Sequence, residues 1–198
     1  ENLLLSGNLS VTSDSAIALG NLTADAVLTL SSNMDVSSAE LTLSDSAELS
    51  LGTANITAYV TNPVIVDSTQ KLKNGGGSFD FAGGITLKSG SELVGQGQEI
   101  SGNISLSGGK LSIAQDTIFA DNLAISAGST INIDALKTLT YDGATVGIGA
   151  AVLKIQGGGT FINTESTELK LNSANSNLVL DNVTVAYVSV SAASNSNK

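Results

Sequence analysis

An all-β chain wound as a parallel β-solenoid, or β-helix, is the fold class that this sequence predicts. Three observations carry it. Apolar residues recur at i and i+2 in very short runs, Gly, Ser and Asn interrupt these runs every six to ten positions, and the chain matches itself when slid forward until Gly20 meets Gly102. Alternation with period two turns one side of a strand inward and the other outward, and helical spacing is never sustained.

The apolar pairs follow one another along the whole chain: Leu9/Val11, Ile17/Leu19, Leu28/Leu30, Leu41/Leu43, Leu49/Leu51, Val64/Val66, Phe79/Phe81, Ile85/Leu87, Ile104/Leu106, Leu111/Ile113, Leu123/Ile125, Ile131/Ile133, Leu169/Leu171 and Val183/Val185. The residue inside each pair is mostly Ser, Thr, Glu, Lys or Asn. A β-sandwich uses strands of about 5–6 residues with larger core side chains. A membrane barrel needs strands of about 9–11 residues with aromatic girdles, and this chain has only four Phe, three Tyr and no Trp. A solenoid needs only two or three short strands per coil, with Gly and Asn at the corners. Leu41, Leu43, Leu49, Leu51, Ile104, Leu106, Leu123, Ile125, Ile131 and Ile133 are the expected inward ladders.

The internal repeat sets the size of a coil. At this 82-residue shift Gly20-Asn21-Leu22 falls on Gly102-Asn103-Ile104, Leu41/Leu43 on Leu123/Ile125, Tyr59 on Tyr141, Val64/Val66 on Val146/Ile148, and Gly75–Phe79 on Gly157–Phe161. Coil starts then stand about twenty residues apart, at Leu22, Leu41, Val64, Ile85, Ile104, Leu123 and Val146, so four coils make one super-repeat. The expectation is a single domain over residues 1–190, with copies at about 20–101 and 102–183 and a polar tail at 191–198. It contains nine or ten coils of roughly 20 residues, a rod on the order of 45 Å long. Tyr59 and Tyr141, and Phe79 and Phe161, are expected at equivalent places four coils apart.

Composition narrows the function. The net charge is −10 and the pI about 4.1, which argues against nucleic acid and against an anionic membrane surface. No apolar run approaches the ~18 residues of a membrane helix. The opening residues show neither an initiator Met nor a signal peptide, so a processed product or a slice of something longer is expected.

Catalytic chemistry finds little to use. With no Cys, His or Arg, the common nucleophile–base pairs and the bidentate carboxylate clamp are missing. The eighteen acidic residues are scattered singly, as at Asp14, Asp25, Asp35 and Asp45, in keeping with solvated corners. No catalytic, cofactor-binding or metal-binding residue is expected, and no cofactor. Neither the calcium nonapeptide nor an EF-hand loop is present. The glycines of Asn74–Phe81 read as a sharp corner or a bulge before an aromatic strand and not as a phosphate loop. Five sequons begin at Asn8, Asn21, Asn55, Asn103 and Asn182, each read either as a stacked corner Asn or as a glycan acceptor. Residues 67–78, with Lys71 and Lys73, read as either a projecting loop or a tolerated corner insertion.

The Ser/Thr/Asn/Gly-rich texture, the absence of Cys and the repeats "GNLS", "GNLT" and "GNIS" give the chain a family likeness. It resembles the passenger regions of bacterial autotransporters and filamentous-haemagglutinin-type adhesins. The resemblance spans essentially all 198 residues, although no translocation barrel is present and no adhesin motif is matched residue by residue. It implies export, an extracellular or cell-surface location, and a stalk, fibre or adhesive role. The leading expectation is a non-enzymatic structural rod or filament module, its partner being itself through head-to-tail stacking. An adhesin segment that binds a receptor or glycan is the alternative, and a β-helical polysaccharide-processing enzyme the third.

Overall fold

The computed structural model is a parallel β-solenoid with three walls, sheets of ten, nine and seven strands. It describes strand backbone at residues 2–5, 9–12, 17–24, 27–31, 34–43 and 48–50, and residues 56–192 apart from 68, 144 and 165–167. Side chains are described from Ala58 onward, together with Leu49. From Val64 on, the chain visits the walls in a fixed rotation. Val64–Val66 lies in the seven-stranded sheet C, Lys71–Lys73 in the nine-stranded sheet B and Ser78–Phe81 in the ten-stranded sheet A. Ile85–Lys88 then returns to sheet C, one coil on.

Sequence makes these strands short and alternating. In Val64–Val66, Ile104–Ser107 and Thr145–Ile148 every second residue is buried, because these inward positions are apolar and the residue beside each faces outward. Register stacks the strands in columns across coils, and the column members from Leu49 to Ile155 in sheet B and from Val64 to Leu169 in sheet C are buried. In sheet B the register runs Leu9, Leu28, Leu49, Leu72, Leu93, Leu111, Ile131, Ile155, Leu180. In sheet C it runs Val64, Ile85, Ile104, Leu123, Val146, Leu169, Val190. From Val64 on, the chain makes about six turns of about 21 residues. The expected nine or ten coils of roughly 20 counted the residues before Val64 as well, where strands of sheets A and B continue the stack.

The coil starts read from the sequence coincide with register partners. Leu22 pairs with Leu41, and Val64, Ile85, Ile104, Leu123 and Val146 pair in succession. Of the ten expected ladder residues, Leu49, Ile104, Leu106, Leu123, Ile125, Ile131 and Ile133 are buried. The side chains of Leu41, Leu43 and Leu51 lie outside the described residues.

The 82-residue shift holds in one place and slips in others. Val64 and Val146 are four coils apart, as expected. In sheet A the column Ala58, Phe79, Ile100, Phe119, Tyr141, Asn163 puts Phe79 four coils from Asn163, just past Phe161. Both phenylalanines still face inward. The tyrosines are not equivalent: Tyr59 sits beside Ala58 on the outer side and is 40% exposed, whereas Tyr141 is fully buried. An odd slip of one residue exchanges the two sides of a strand. Gly20-Asn21 also departs from its partner, since it lies inside the eight-residue strand Ile17–Ala24.

Corners carry the variation in coil length. Gly102, between Glu99–Ser101 and Ile104–Ser107, has φ +99° and would place a Cβ 2.2 Å from the Phe81 carbonyl oxygen, so only glycine fits that approach. The Asn74–Gly77 corner, read as a sharp turn, is one: Gly77 N–H donates to the Asn74 carbonyl at 2.7 Å. Residues 67–78 correct the reading of a loop or insertion, because Lys71-Leu72-Lys73 is a regular strand with Leu72 buried. Inside the prism, Phe79 stacks on Phe81 with ring centroids 5.0 Å apart, and Tyr141 lies between Phe119 at 5.8 Å and Phe161 at 6.1 Å. These rings lie within about 4.5–7 Å, where aromatic pairs attract.

Leu123 and Ala124 test this core from one strand. Leu123 is buried and Ala124 exposed. Leu123→Asp is expected to cost about 4 kcal/mol, from a buried unpaired charge and a lost aliphatic contact. Ala124→Asp is expected to stay within about 0.5 kcal/mol. Denaturant unfolding of both variants measures the contrast, and equal losses would contradict the assigned inward face.

Candidate functional site

Three features of the solenoid offer polar chemistry, two on its outer surface and one buried behind the corners. The most ordered is on sheet B. Register places Glu48, Lys71, Glu92 and Lys110 opposite one another on successive coils. The Glu92 carboxylate accepts from Lys71 Nζ at 3.2 Å, Lys110 Nζ at 3.1 Å and Ser112 Oγ at 2.5 Å. Burial by itself would push this carboxyl up. The hydrogen bonds from Ser112, Lys110 and Lys71 outweigh burial and bring Glu92 from an ordinary 4.5 down to about 2. One carboxylate therefore ties three coils together.

Farther along, Lys154 Nζ meets Asp181 Oδ2 at 2.8 Å in the same sheet, and Lys88 Nζ meets Asp67 Oδ2 at 3.3 Å at the corner between sheets C and B. On sheet C, hydrogen bonds from Ser191 and then Lys170 hold the Glu168 carboxyl below its ordinary value. Exposed pairs of this kind add little stability, and those between Lys154 and Asp181 and between Lys88 and Asp67 fix coil against coil.

The second feature is a groove of about 340 Å³ along the corner from sheet A to sheet C. Pro63, Gly84, Thr86, Asn103, Ser105 and Asn122 border it. Successive corners repeat the same backbone bonds, with Val64 N–H to Gly84, Ile85 N–H to Asn103 and Ile104 N–H to Asn122, all at 2.9 Å. Asn122 Nδ2 donates to Asn103 Oδ1 at 3.3 Å, so Asn103 stacks on a corner asparagine of the next coil, one of the two readings of its sequon. The groove is uncharged and its lining is mostly apolar, with the carboxamides of Asn103 and Asn122 and the hydroxyls of Thr86 and Ser105 along it.

Asn182, another sequon asparagine, stands at a different corner, between sheets B and A, with φ +50° and its carbonyl accepting from Gly158 N–H at 2.6 Å. Asn21 is placed in strand Ile17–Ala24, and its side chain, like Asn8 and Asn55, lies outside the described residues.

The third feature is the buried polar set that squares the corners. Asn74 is fully buried, donates to the Gly97 carbonyl at 2.8 Å and accepts from Gln96 N–H at 2.5 Å. Tyr141 Oη donates to the Thr145 carbonyl at 2.8 Å, and burial pushes its hydroxyl up to about 12. These groups serve the wall, not a ligand, since their polar atoms are spent on backbone. Among the described residues no three of His, Cys, Asp and Glu stand close enough to hold a metal ion. No known protein family, curated protein or solved structure matches this chain.

The Glu92 cluster was not read from the sequence. Its members lie a full coil apart along the chain and meet only through register. The available signal was Lys71-Leu72-Lys73, an outward–inward–outward triplet like its neighbours.

Acid titration of Glu92→Gln tests the cluster. A carboxyl at about 2 in the folded chain and 4.5 when free adds stability that is complete above pH 4.5 and is lost as pH falls toward about 2. The parent is therefore expected to exceed Glu92→Gln in melting temperature at neutral pH, with the gap closing over that window. A gap that is constant from pH 7 to pH 2 would show that the carboxylate charge is not what matters.

Proposed function

We propose that the chain is a non-enzymatic structural module of the bacterial cell exterior, a β-solenoid rod that stacks end to end into a filament or stalk. The observation that carries this is the last described coil. Its inward positions continue the core columns, yet Leu180 is 48% and Val190 56% exposed, whereas their partners Ile155 and Leu169 are buried. Apolar side chains at the foot of three parallel strand edges leave the core columns open to a further coil. A contact of one end with the opposite end does not close on itself, so it propagates. The export and surface location rest on the resemblance to autotransporter and haemagglutinin-type passengers.

The groove of Asn103 and Asn122 favours a second reading, an adhesive segment that takes a glycan. Weak glycan binding lost in Asn122→Ala, with unchanged melting, would support that reading.

Light scattering with electron microscopy tests end-to-end stacking. Purified chain at rising concentration is expected to form linear particles longer than one solenoid, and Leu180→Asp is expected to shorten them. A strictly monomeric rod at high concentration would overturn the filament reading.

A further inference from the structure

The solenoid separates charge by wall, although the chain as a whole carries −10. Among the described side chains, the outer surface of sheet B bears Lys71, Lys73, Lys110 and Lys154 against Glu92 and Asp181. Sheet A and its corner to sheet C bear Asp80, Glu99, Asp121 and Asp142 and, among the described residues, no lysine. The two lysines that share Glu92 leave the middle of sheet B with excess positive charge. Lys71, Lys110 and Lys154 also occupy one row on alternate coils, roughly 10 Å apart.

We propose that rods of this protein associate side by side, the lysine-bearing face of sheet B in one copy docking on the acidic face of sheet A in a second copy. Charge complementarity selects this partner, because both halves of the contact are present on the same molecule. Both faces rise by the same ~4.8 Å per coil, so the coils of parallel rods stay level, the lysines forming one row and the acids a staggered set. Each exposed pair is worth little, and the contact gains strength from repetition along the rod. The two faces differ, so a docked copy keeps its own sheet B free, and association leads to bundles instead of dimers. This lateral contact is independent of end-to-end stacking: it is screened by salt, whereas apolar and strand-edge contacts at the ends are not.

Sedimentation and light scattering of the purified chain at about 10 mM and about 0.5 M salt test it, since the screening length drops from about 30 Å to under 10 Å across that range. The mean particle mass is expected to be several-fold larger at low salt. Lys73→Glu with Lys154→Glu is expected to abolish the difference, and so is Asp80→Lys with Glu99→Lys, each with circular dichroism unchanged. Neither double variant has complementary faces by itself, but an equimolar mixture of the two does, and mixing is expected to restore low-salt association. Equal masses at both salt concentrations, or double variants that still associate alone, would overturn the proposal. So would a mixture that stays dispersed, or loss of association on reversing the lysines but not the acids, which would assign sheet B to another acidic partner. Failure of end-to-end stacking reads separately, as a monomeric mass at high salt.

Discussion

Register between coils is the constraint on which the rest of this structure depends. Each inward side chain must land on an inward side chain of the coil before it. A slip of one residue would send an apolar column into water and a polar one into the core. The sheet B column from Leu49 to Ile155 keeps this condition although its coils differ in length, Leu93 and Leu111 standing closer along the chain than Ile131 and Ile155. Strands cannot absorb that variation, so corners and bulges do. The register shifts at Gly95/Gln96 and at Leu106/Ser107, and Gly102 and Gly157 take backbone conformations closed to other residues. Among the described residues no buried side-chain nitrogen or oxygen lacks a hydrogen-bond partner. The core is therefore apolar along its columns except at Asn163, and fully bonded where Asn74, Thr117 and Ser129 turn the chain.

The same constraint organises the outside. Once register is fixed, outward residues a full coil apart along the chain become neighbours, and single charges scattered in the sequence become rows. Glu92 shows the consequence. Its carboxylate is held by a lysine from the coil on either side and by Ser112 of the following coil. Proposals of end-to-end and side-by-side assembly both follow from this geometry, one from the apolar last coil and one from the charge on the walls.

Much of the fold was legible because the alternation is local. Pairs such as Ile104/Leu106 and Leu123/Ile125 announce strand, side and coil start at once, and the structure pairs them directly. The super-repeat was legible only where corner lengths cancel, as from Val64 to Val146. It misplaced Tyr59 against Tyr141 because a constant shift cannot follow coils of unequal length. What the sequence withheld is what register creates, namely the Glu92 cluster, the groove beside Asn103 and Asn122, and the separation of lysines from acids between walls. The strand Lys71–Lys73 hid for a different reason, since two charges around a single leucine look like a loop unless Leu72 is assigned to the core.

The central claim is that sequence distance converts to height along one axis, one coil at a time. Spin labels on the outer row of sheet C measure this directly, because Ile65, Thr86, Ser105, Ala124, Gly147, Lys170 and Ser191 are successive register partners. With one label at Ile65 and the other at Ala124, Lys170 or Ser191, the account predicts backbone separations of about 14, 24 and 29 Å, rising by ~4.8 Å per coil. Separations that fail to rise along this series would contradict the solenoid.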